Sequence, residues 1–281
     1  MIAICPNPFR DSELKYTRQA AEMLHAAGYE TAVCPVFAED APQMIPEDIK
    51  ATTLDAVRSR CSLVVVIGGD GTILSAARQL HNADIPILGV NLGSKGFMAA
   101  LEPEHMQLIV KAAAGEYTVS RRMMLDIELE RGGEIIYRDK ALNDVVLHGY
   151  GDCIRLTAWC AGDRITSFSG DGIILSTPTG STGYSMSAGG PIVEPEASAI
   201  IVSPICAHMM SARSYVLSAL HDVSVLAEKL HGRRAYISVD GNSVMDLTNG
   251  DLLRVRRSER CILMADMGLK SFFDLAFEKL T

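Results

Sequence analysis

One segment constrains the fold of this chain more than any other: Leu63-Val64-Val65-Val66-Ile67, then Gly68-Gly69-Asp70-Gly71-Thr72, then Ile73-Leu74-Ser75-Ala76-Ala77-Arg78-Gln79-Leu80. An unbroken apolar run of that length reads as a buried strand, and the residues after the turn read as a helix. Strand, glycine-rich turn and helix in this order build a parallel sheet that binds ligands at the carboxyl ends of its strands. Three glycines remove the side chains that would keep a ligand off the backbone. The free N–H groups and positive dipole end of the new helix favour phosphate. An aspartate in that cradle repels an anion unless it handles a proton or a metal ion. The motif therefore reads as phosphate chemistry rather than mere phosphate binding; the bland alternative is a tight turn with an incidental Asp. Nothing in the chain matches G-x-x-x-x-G-K-[ST], which argues against a P-loop ATPase. Gly89, Gly93 and Gly96 do not fit G-x-G-x-x-G, so a dehydrogenase-type site loses its main support.

Around this unit the first hundred residues alternate strand and helix. Ile2–Cys5, Thr31–Cys34 and Ile85–Val90 read as strands. Ser12–Ala27 reads as a helix stopped by Gly28, and residues 37–50 as a proline- and acid-rich loop. After the helix-like stretch Pro103–Ala114 the pattern changes. From about residue 120 to 265 short alternating or β-branched runs dominate, with hairpin turns at Gly132-Gly133 and Asp240-Gly241. The expected architecture is an α/β domain over residues 1–118 with a parallel sheet, and a mostly β domain over 119–266. The tail 267–281 returns to the first domain as a helix, with Phe273, Ala276, Phe277 and Leu280 on one helical face, and the sequence does not show where it packs.

Composition narrows the function classes. A length of 281 residues with 48% hydrophobic content supplies core for two domains. A net charge of −8 argues against a broad nucleic-acid footprint, and a polyphosphate must then be held by local donors and Mg²⁺. There is no apolar run of 18 residues and the first residues do not read as a signal peptide, so no membrane partner and a cytoplasmic location are expected. Seven scattered cysteines give neither a disulfide framework nor a zinc site.

Three further segments can carry chemistry. Asn91-Leu92-Gly93-Ser94-Lys95-Gly96-Phe97 follows a strand; Lys95 could meet a phosphate and Phe97 could stack on a base, or the segment is a polar loop with a core Phe. Asn143-Asp144 opens a strand, and an amide with a carboxylate can hold vicinal ribose hydroxyls, although Asn-Asp is also common in turns. The longest runs from Ser169-Gly170-Asp171-Gly172 to Gly189-Gly190-Pro191. A strand there ends in small hydroxyl and glycine residues, followed by a short helix capped by Ser181 or Thr182. That arrangement suits a nucleotide or diphosphate, with a flexible linker as the alternative.

Together these segments resemble the NAD kinase family (ATP–NAD kinases), relatives of diacylglycerol kinases and 6-phosphofructokinases. Pro204-Ile205-Cys206-Ala207-His208, Val239-Asp240-Gly241 and the C-terminal helix extend the resemblance over most of the chain. The glycine-Asp motif alone is shared with lipid and sugar kinases. The Asp171–Pro191 segment with Asn143-Asp144 is what separates this family from them.

The resemblance implies Mg²⁺-dependent transfer of the γ-phosphoryl group of ATP, or of polyphosphate, to the 2′-hydroxyl of the adenosine ribose of NAD. Asp70 is then the base or orienter, with Gly68, Gly69, Gly71 and Thr72 shaping the phosphate loop. Phe97, Asn143, Asp144, Asp171, Thr182, Gly183, Tyr184 and Ser187 line the dinucleotide pocket. The metal comes with the nucleotide rather than from a protein-only site. The family implies a homodimer or homotetramer. Gly183 stands where the family usually has Ala, Ala207 and Ser214 stand for common prolines, and Ser169 stands where many bacterial members carry Arg, which leaves the choice between NAD and NADH open. Arg121, Arg122 and Arg213 read as solvated or structural. The rival enzyme is a lipid or sugar kinase; the rival of another class is a non-catalytic dinucleotide sensor.

Overall fold

A computed structural model describes residues 1–36, 44–93, 96–209 and 212–280. The expected loop at 37–50 therefore lies partly outside the described residues, and Ser94 and Lys95 lie wholly outside them. The chain forms two compact units, Met1–Arg122 with Ile262–Thr281, and Met123–Cys261.

The first unit begins with β1 (Ile2–Pro6), α1 (Lys15–Ala26), β2 (Thr31–Val33), α2 (Leu54–Val57), β3 (Leu63–Gly68), α3 (Asp70–Leu80), β4 (Ile87–Asn91) and α4 (Leu108–Ala113). Its strands are parallel in the order β2-β1-β3-β4. All six residues of β3 are buried, as a strand covered on both faces requires. α3 turns Thr72, Ile73, Ala76, Ala77 and Leu80 inward, at the spacing of one helical face. Two helices differ from the sequence expectation. Ser12–Leu14 is a separate short turn in which Glu13 and Leu14 have φ of 53° and 54°, so α1 starts only at Lys15. The stretch Pro103–Ala114 likewise divides into a tight turn at Pro103–His105 and α4.

The second unit is antiparallel. β5 (Thr118–Arg131) and β6 (Glu134–Ala141) form a hairpin across Gly132-Gly133. Then come β7 (Asp144–Gly149), β8 (Ile154–Cys160), β9 (Asp163–Gly170), β10 (Gly172–Ser176), α5 (Tyr184–Ser187), β11 (Ala199–Ile205), β12 (Tyr215–Ser218), β13 (Val223–Glu228), β14 (Ala235–Val239) and β15 (Asn242–Asp246). Six of these make a sheet in the order β12-β11-β10-β7-β14-β15. Val145, Leu147, Ile173, Leu175, Ile237 and Val239 point from one face of it into the unit's core, with Phe168, Leu156 and Val225. The alternate residues Val146 and Ile174 face the other way, toward Ala188 after α5, as the two-residue period of a strand dictates.

β16 (Leu252–Asp266) follows; its early residues pair with β13, and Met264 pairs in parallel with Ile87 of β4. The chain ends in α6 (Phe272–Leu280), which belongs to the first unit. Its start is a capping box: Ser271 Oγ accepts the Asp274 N–H at 3.1 Å, and Asp274 accepts the Ser271 N–H at 2.9 Å. That apolar face is not the packed one. Phe273 and Phe277 are 67% and 72% exposed, and Leu280 is exposed as well. Phe272 and Lys279 are the residues turned toward the unit instead. The stripe was periodic, but periodicity does not say which side of a short helix the capped turn rotates inward.

Candidate functional site

In the first unit the site is built on the head of α3. Gly69, extended at φ −115° and ψ −173°, precedes the helix and supplies no side-chain cap for the amides of the first turn. Gly68 has to be glycine. A Cβ there would stand 2.5 Å from Thr72 Oγ1, a hydroxyl that accepts a bond from Asn7 Nδ2 at 3.0 Å. The Thr72 N–H is donated to Gly69 O at 2.9 Å. Thr72 thus shapes the loop from behind. Arg10 lies over the same loop: a Cβ on Gly69 would be 3.5 Å, and one on Gly93 2.3 Å, from its guanidinium.

Asp70 is the first residue of α3. Its Oδ2 accepts the Phe97 N–H at 2.8 Å and its Oδ1 the Met98 N–H at 3.2 Å. Burial raises its proton affinity above that of an ordinary carboxylate. The two amides, then Lys279 and Arg10, oppose that rise without cancelling it. A carboxylate accepting two N–H groups still has free lone pairs. Gly96 makes this approach possible, since a Cβ there would fall 2.6 Å from Asp70 Oδ1. The Phe97 ring stands 6.5 Å from that of Phe272, and the Lys279 ammonium lies 5.6 Å from its centroid.

In the second unit the Asn143-Asp144 turn is held from one side by Asp240. That carboxylate accepts the N–H groups of Leu142, Asn143 and Asp144 at 2.9, 2.7 and 3.1 Å, and the Asp240 N–H returns to Asp144 O at 2.9 Å. From the other side comes the segment after β10. Thr177 donates N–H to Asn143 O at 2.8 Å and Oγ1–H to Leu142 O at 2.6 Å. Gly180 packs so closely that a Cβ would sit 2.3 Å from Asn143 O. Asp144 is 6% exposed; burial, and then the charge of Asp240, push its pKa up to about 7. The buried Asn143 Oδ1 and Thr179 Oγ1 have no hydrogen-bond partner among the described residues. Such orphaned polar atoms are rare in a finished core.

The short α5 starts from Gly183, not from the Ser181 or Thr182 cap expected. The Ser181 hydroxyl is occupied by Val193, accepting its N–H at 3.0 Å and donating to its carbonyl at 3.2 Å. Thr182 Oγ1 donates to Thr179 O at 3.3 Å. Tyr184 and Ser187 are exposed at this end of the sheet. Partial desolvation raises the Tyr184 phenol, with smaller contributions from Tyr236, Cys206, Asp171 and Asp144. Asp171 takes a hydrogen bond from Cys206, which raises that thiol. Of the second-unit residues named from sequence, Asn143 and Asp144 lie at the Ser176 end of β10, with Gly183 close to the Asn143 amide, whereas Asp171 stands at the opposite, Gly172 end, where its carbonyl accepts the Gly149 N–H. Among the described residues no group of three or more His, Cys, Asp or Glu side chains is placed to hold a metal.

One prediction arises here. Gly180→Ala forces its methyl into the Asn143 carbonyl, an overpacked backbone contact worth about 1–3 kcal/mol. A lower melting temperature together with weaker dinucleotide binding is expected. Unchanged calorimetric and binding curves would show that the turn has room to move.

Two family models cover the chain: the ATP-NAD kinase N-terminal domain matches residues 2–117 and the C-terminal domain residues 142–266. The chain belongs to the NAD kinase family. It is 36% identical to the NAD kinase of Acetivibrio thermocellus, over 98% of this chain and 94% of that one. With the NAD kinase of Ruminiclostridium cellulolyticum it shares 33% identity over 99% and 97% of the two chains. Among solved structures it resembles yeast NADH kinase complexed with NADH, with a TM-score of 0.86, 27% identity, and coverage of 99% of this chain and 86% of that one. An NAD kinase from Archaeoglobus fulgidus in complex with ATP gives a TM-score of 0.76 and 25% identity, covering 100% and 98%.

Within this NAD kinase fold, sequence reasoning missed Arg10, Asp240 and Lys279 as partners of the site. Asp240-Gly241 reads as a hairpin turn, and Val239-Asp240-Gly241 as part of the family resemblance, with no role for the Asp240 side chain. The signal it carried was an acidic residue at the first turn position: Asp240 has φ of 46° there, a conformation Asp tolerates better than most residues. Arg10 and Lys279 left no such signal.

Proposed function

We propose that this chain transfers the γ-phosphoryl group of ATP to the 2′-hydroxyl of the adenosine ribose of NAD, giving NADP and ADP. The observation that carries this reading is Asp70: one carboxylate of raised proton affinity, at the head of an uncapped helix, among amides and cations. In the reaction the ribose oxygen forms a bond to the γ-phosphorus while the bond to the β,γ-bridging oxygen breaks. The hydroxyl proton passes to Asp70, and ADP takes the released electron pair. Such transfer needs positioning and charge neutralisation more than covalent help.

The residues divide by unit. Gly68, Gly69 and Gly71 leave backbone amides open to the donor phosphates, Thr72 supports them, and Arg10 is the side chain placed over the loop to meet the same charge. Asn143 and Asp144 hold ribose hydroxyls, with the free Asn143 Oδ1 as acceptor. Asp171, Thr182, Gly183, Tyr184 and Ser187 line the dinucleotide pocket, and Phe97 offers a ring edge to the adenine end. Mg²⁺ would come with the ATP phosphates, where it would offset part of their charge. A homodimer or homotetramer in the cytoplasm completes the reading; among the described residues no helix is long and apolar enough to cross a membrane.

Arg10→Ala is expected to raise KM for ATP about tenfold or more, the loss of one charge-assisted contact, with KM for NAD little changed. Steady-state kinetics with each substrate varied in turn checks this, and an unaltered KM for ATP removes Arg10 from the donor site. Against the sensor alternative, incubation with Mg-ATP or polyphosphate and NAD is expected to yield NADP. Tight NAD binding without NADP under either donor would favour a sensor.

A further inference from the structure

The C-terminal helix reaches the Gly96–Phe97 loop through two side chains, the Phe272 ring beside that of Phe97 and the charged Lys279. The Lys279 ammonium donates to the carbonyl of Gly96. The N–H of that same peptide unit, belonging to Phe97, donates to Asp70 Oδ2 at 2.8 Å. A peptide unit is planar and trans, so holding its carbonyl on one side fixes the direction of its N–H on the other. A cation on the carbonyl also strengthens the N–H as a donor. The Phe97 ring beneath the ammonium, 5.6 Å from its centroid, closes the arrangement. Lys279 is half-buried, whereas the neighbouring Lys270 spends its charge on Glu278 at 2.6 Å.

We propose that Lys279 is a positioning residue for phosphoryl transfer: it grips the Gly96–Phe97 peptide and thereby aims and steadies the amides that hold the Asp70 carboxylate. The proposal rests on the reading of Asp70 given above, and it assigns the C-terminal helix a part in the reaction without contact to either substrate. The charged groups facing Asp70 are Arg10, from the segment after β1, and Lys279, from α6. Glu102 is turned to Asn91 Nδ2 at 3.2 Å. Among the described residues Lys279 is the cation that holds the Gly96 carbonyl, so its removal loosens the amides and withdraws a positive charge together. Both changes raise the proton affinity of Asp70.

The test compares Lys279→Met, Lys279→Arg, Lys270→Met and Asp70→Asn in the full chain. Lys279→Met is expected to lower kcat on the order of tenfold or more with KM for NAD and ATP nearly constant, and to move the acid limb of the kcat–pH profile upward. Lys279→Arg restores most of both, and Lys270→Met matches the parent. Hydrogen exchange of the Phe97 and Met98 amides, measured without substrates, quickens on the order of tenfold in Lys279→Met. That readout stands whether or not Asp70 is the base. Parent-like exchange and an unmoved acid limb in Lys279→Met overturn the proposal. So does an Arg variant as defective as the Met variant, with the same loss of melting temperature, since that marks a merely structural lysine. If instead Asp70→Asn forms NADP at the parental rate while exchange responds as expected, the reading of Asp70 fails and the clamp stands as structure alone.

Discussion

Asp70→Asn is expected to fold, to bind NAD with near-parental affinity, and to lose kcat by about 10²–10⁴, the usual contribution of a positioned general base. The amide keeps the size of the carboxylate and its oxygen can still accept one of the two N–H groups of the 96–98 turn, while its NH2 faces the other. What it lacks is a site for the ribose proton. Burial already disfavours the charged form at this position, so removing the charge should leave melting temperature equal or slightly higher. The parent's acid limb reports protonation of a carboxylate whose proton affinity is above normal; it is expected at higher pH than an exposed aspartate would give, and to disappear in the variant. Substrate binding and turnover have to be measured separately, because a drop in kcat/KM alone does not distinguish lost chemistry from lost binding.

The second large effect belongs to Asp144. Asp144→Ala is expected to weaken NAD binding roughly 10–100-fold, the range for one or two hydrogen bonds to a charged group, with a smaller effect on the KM for ATP. The carboxyl group, its pKa pushed up to about 7, is the stronger acceptor for hydroxyls in its ionised form. NAD affinity is therefore expected to rise from pH 6 to pH 8 in the parent and to be flat in the variant. Stability runs the other way. The folded-state pKa is raised above the unfolded value of 3.8, so the folded state binds more protons between about pH 4 and pH 7 and loses stability as pH rises through that window. The difference between pKa values of 3.8 and about 7 sets an upper limit of about 4 kcal/mol. Denaturant melts of the parent and of Asp144→Asn should diverge toward pH 8, with the variant the more stable. Parallel curves across the window would mean that the site is better solvated than its burial indicates.

Much of the fold was legible because its signals are local. The valine run, the glycine turn and the helical spacing after it lie within eighteen consecutive residues, and each points to the same βαβ logic. The hairpins at Gly132-Gly133 and Asp240-Gly241 were visible for the same reason, since turn chemistry needs only neighbours; both glycines that follow have positive φ. Of the candidate site the sequence shows the small residues of its loops and less of their supports. Asp240 reaches its three amides across about a hundred residues, and Lys279 reaches Gly96 across 183. No period or motif encodes such a meeting; only the folded topology does. The exposed Phe273 and Phe277 make the same point from the other side. A helical stripe is readable, but its direction is set by the capped turn and by what Phe272 and Lys279 find to touch.

The most direct test of the account is the fate of the transferred phosphoryl group. With Mg-ATP labelled at the γ-phosphorus and NAD as the only acceptor, label should appear in NADP, one per ADP formed, as a 2′-phosphomonoester identified by phosphorus NMR. Asp70→Asn should carry almost none. Label released as inorganic phosphate in step with ADP, or carried onto diacylglycerol or fructose 6-phosphate in preference to NAD, would contradict it.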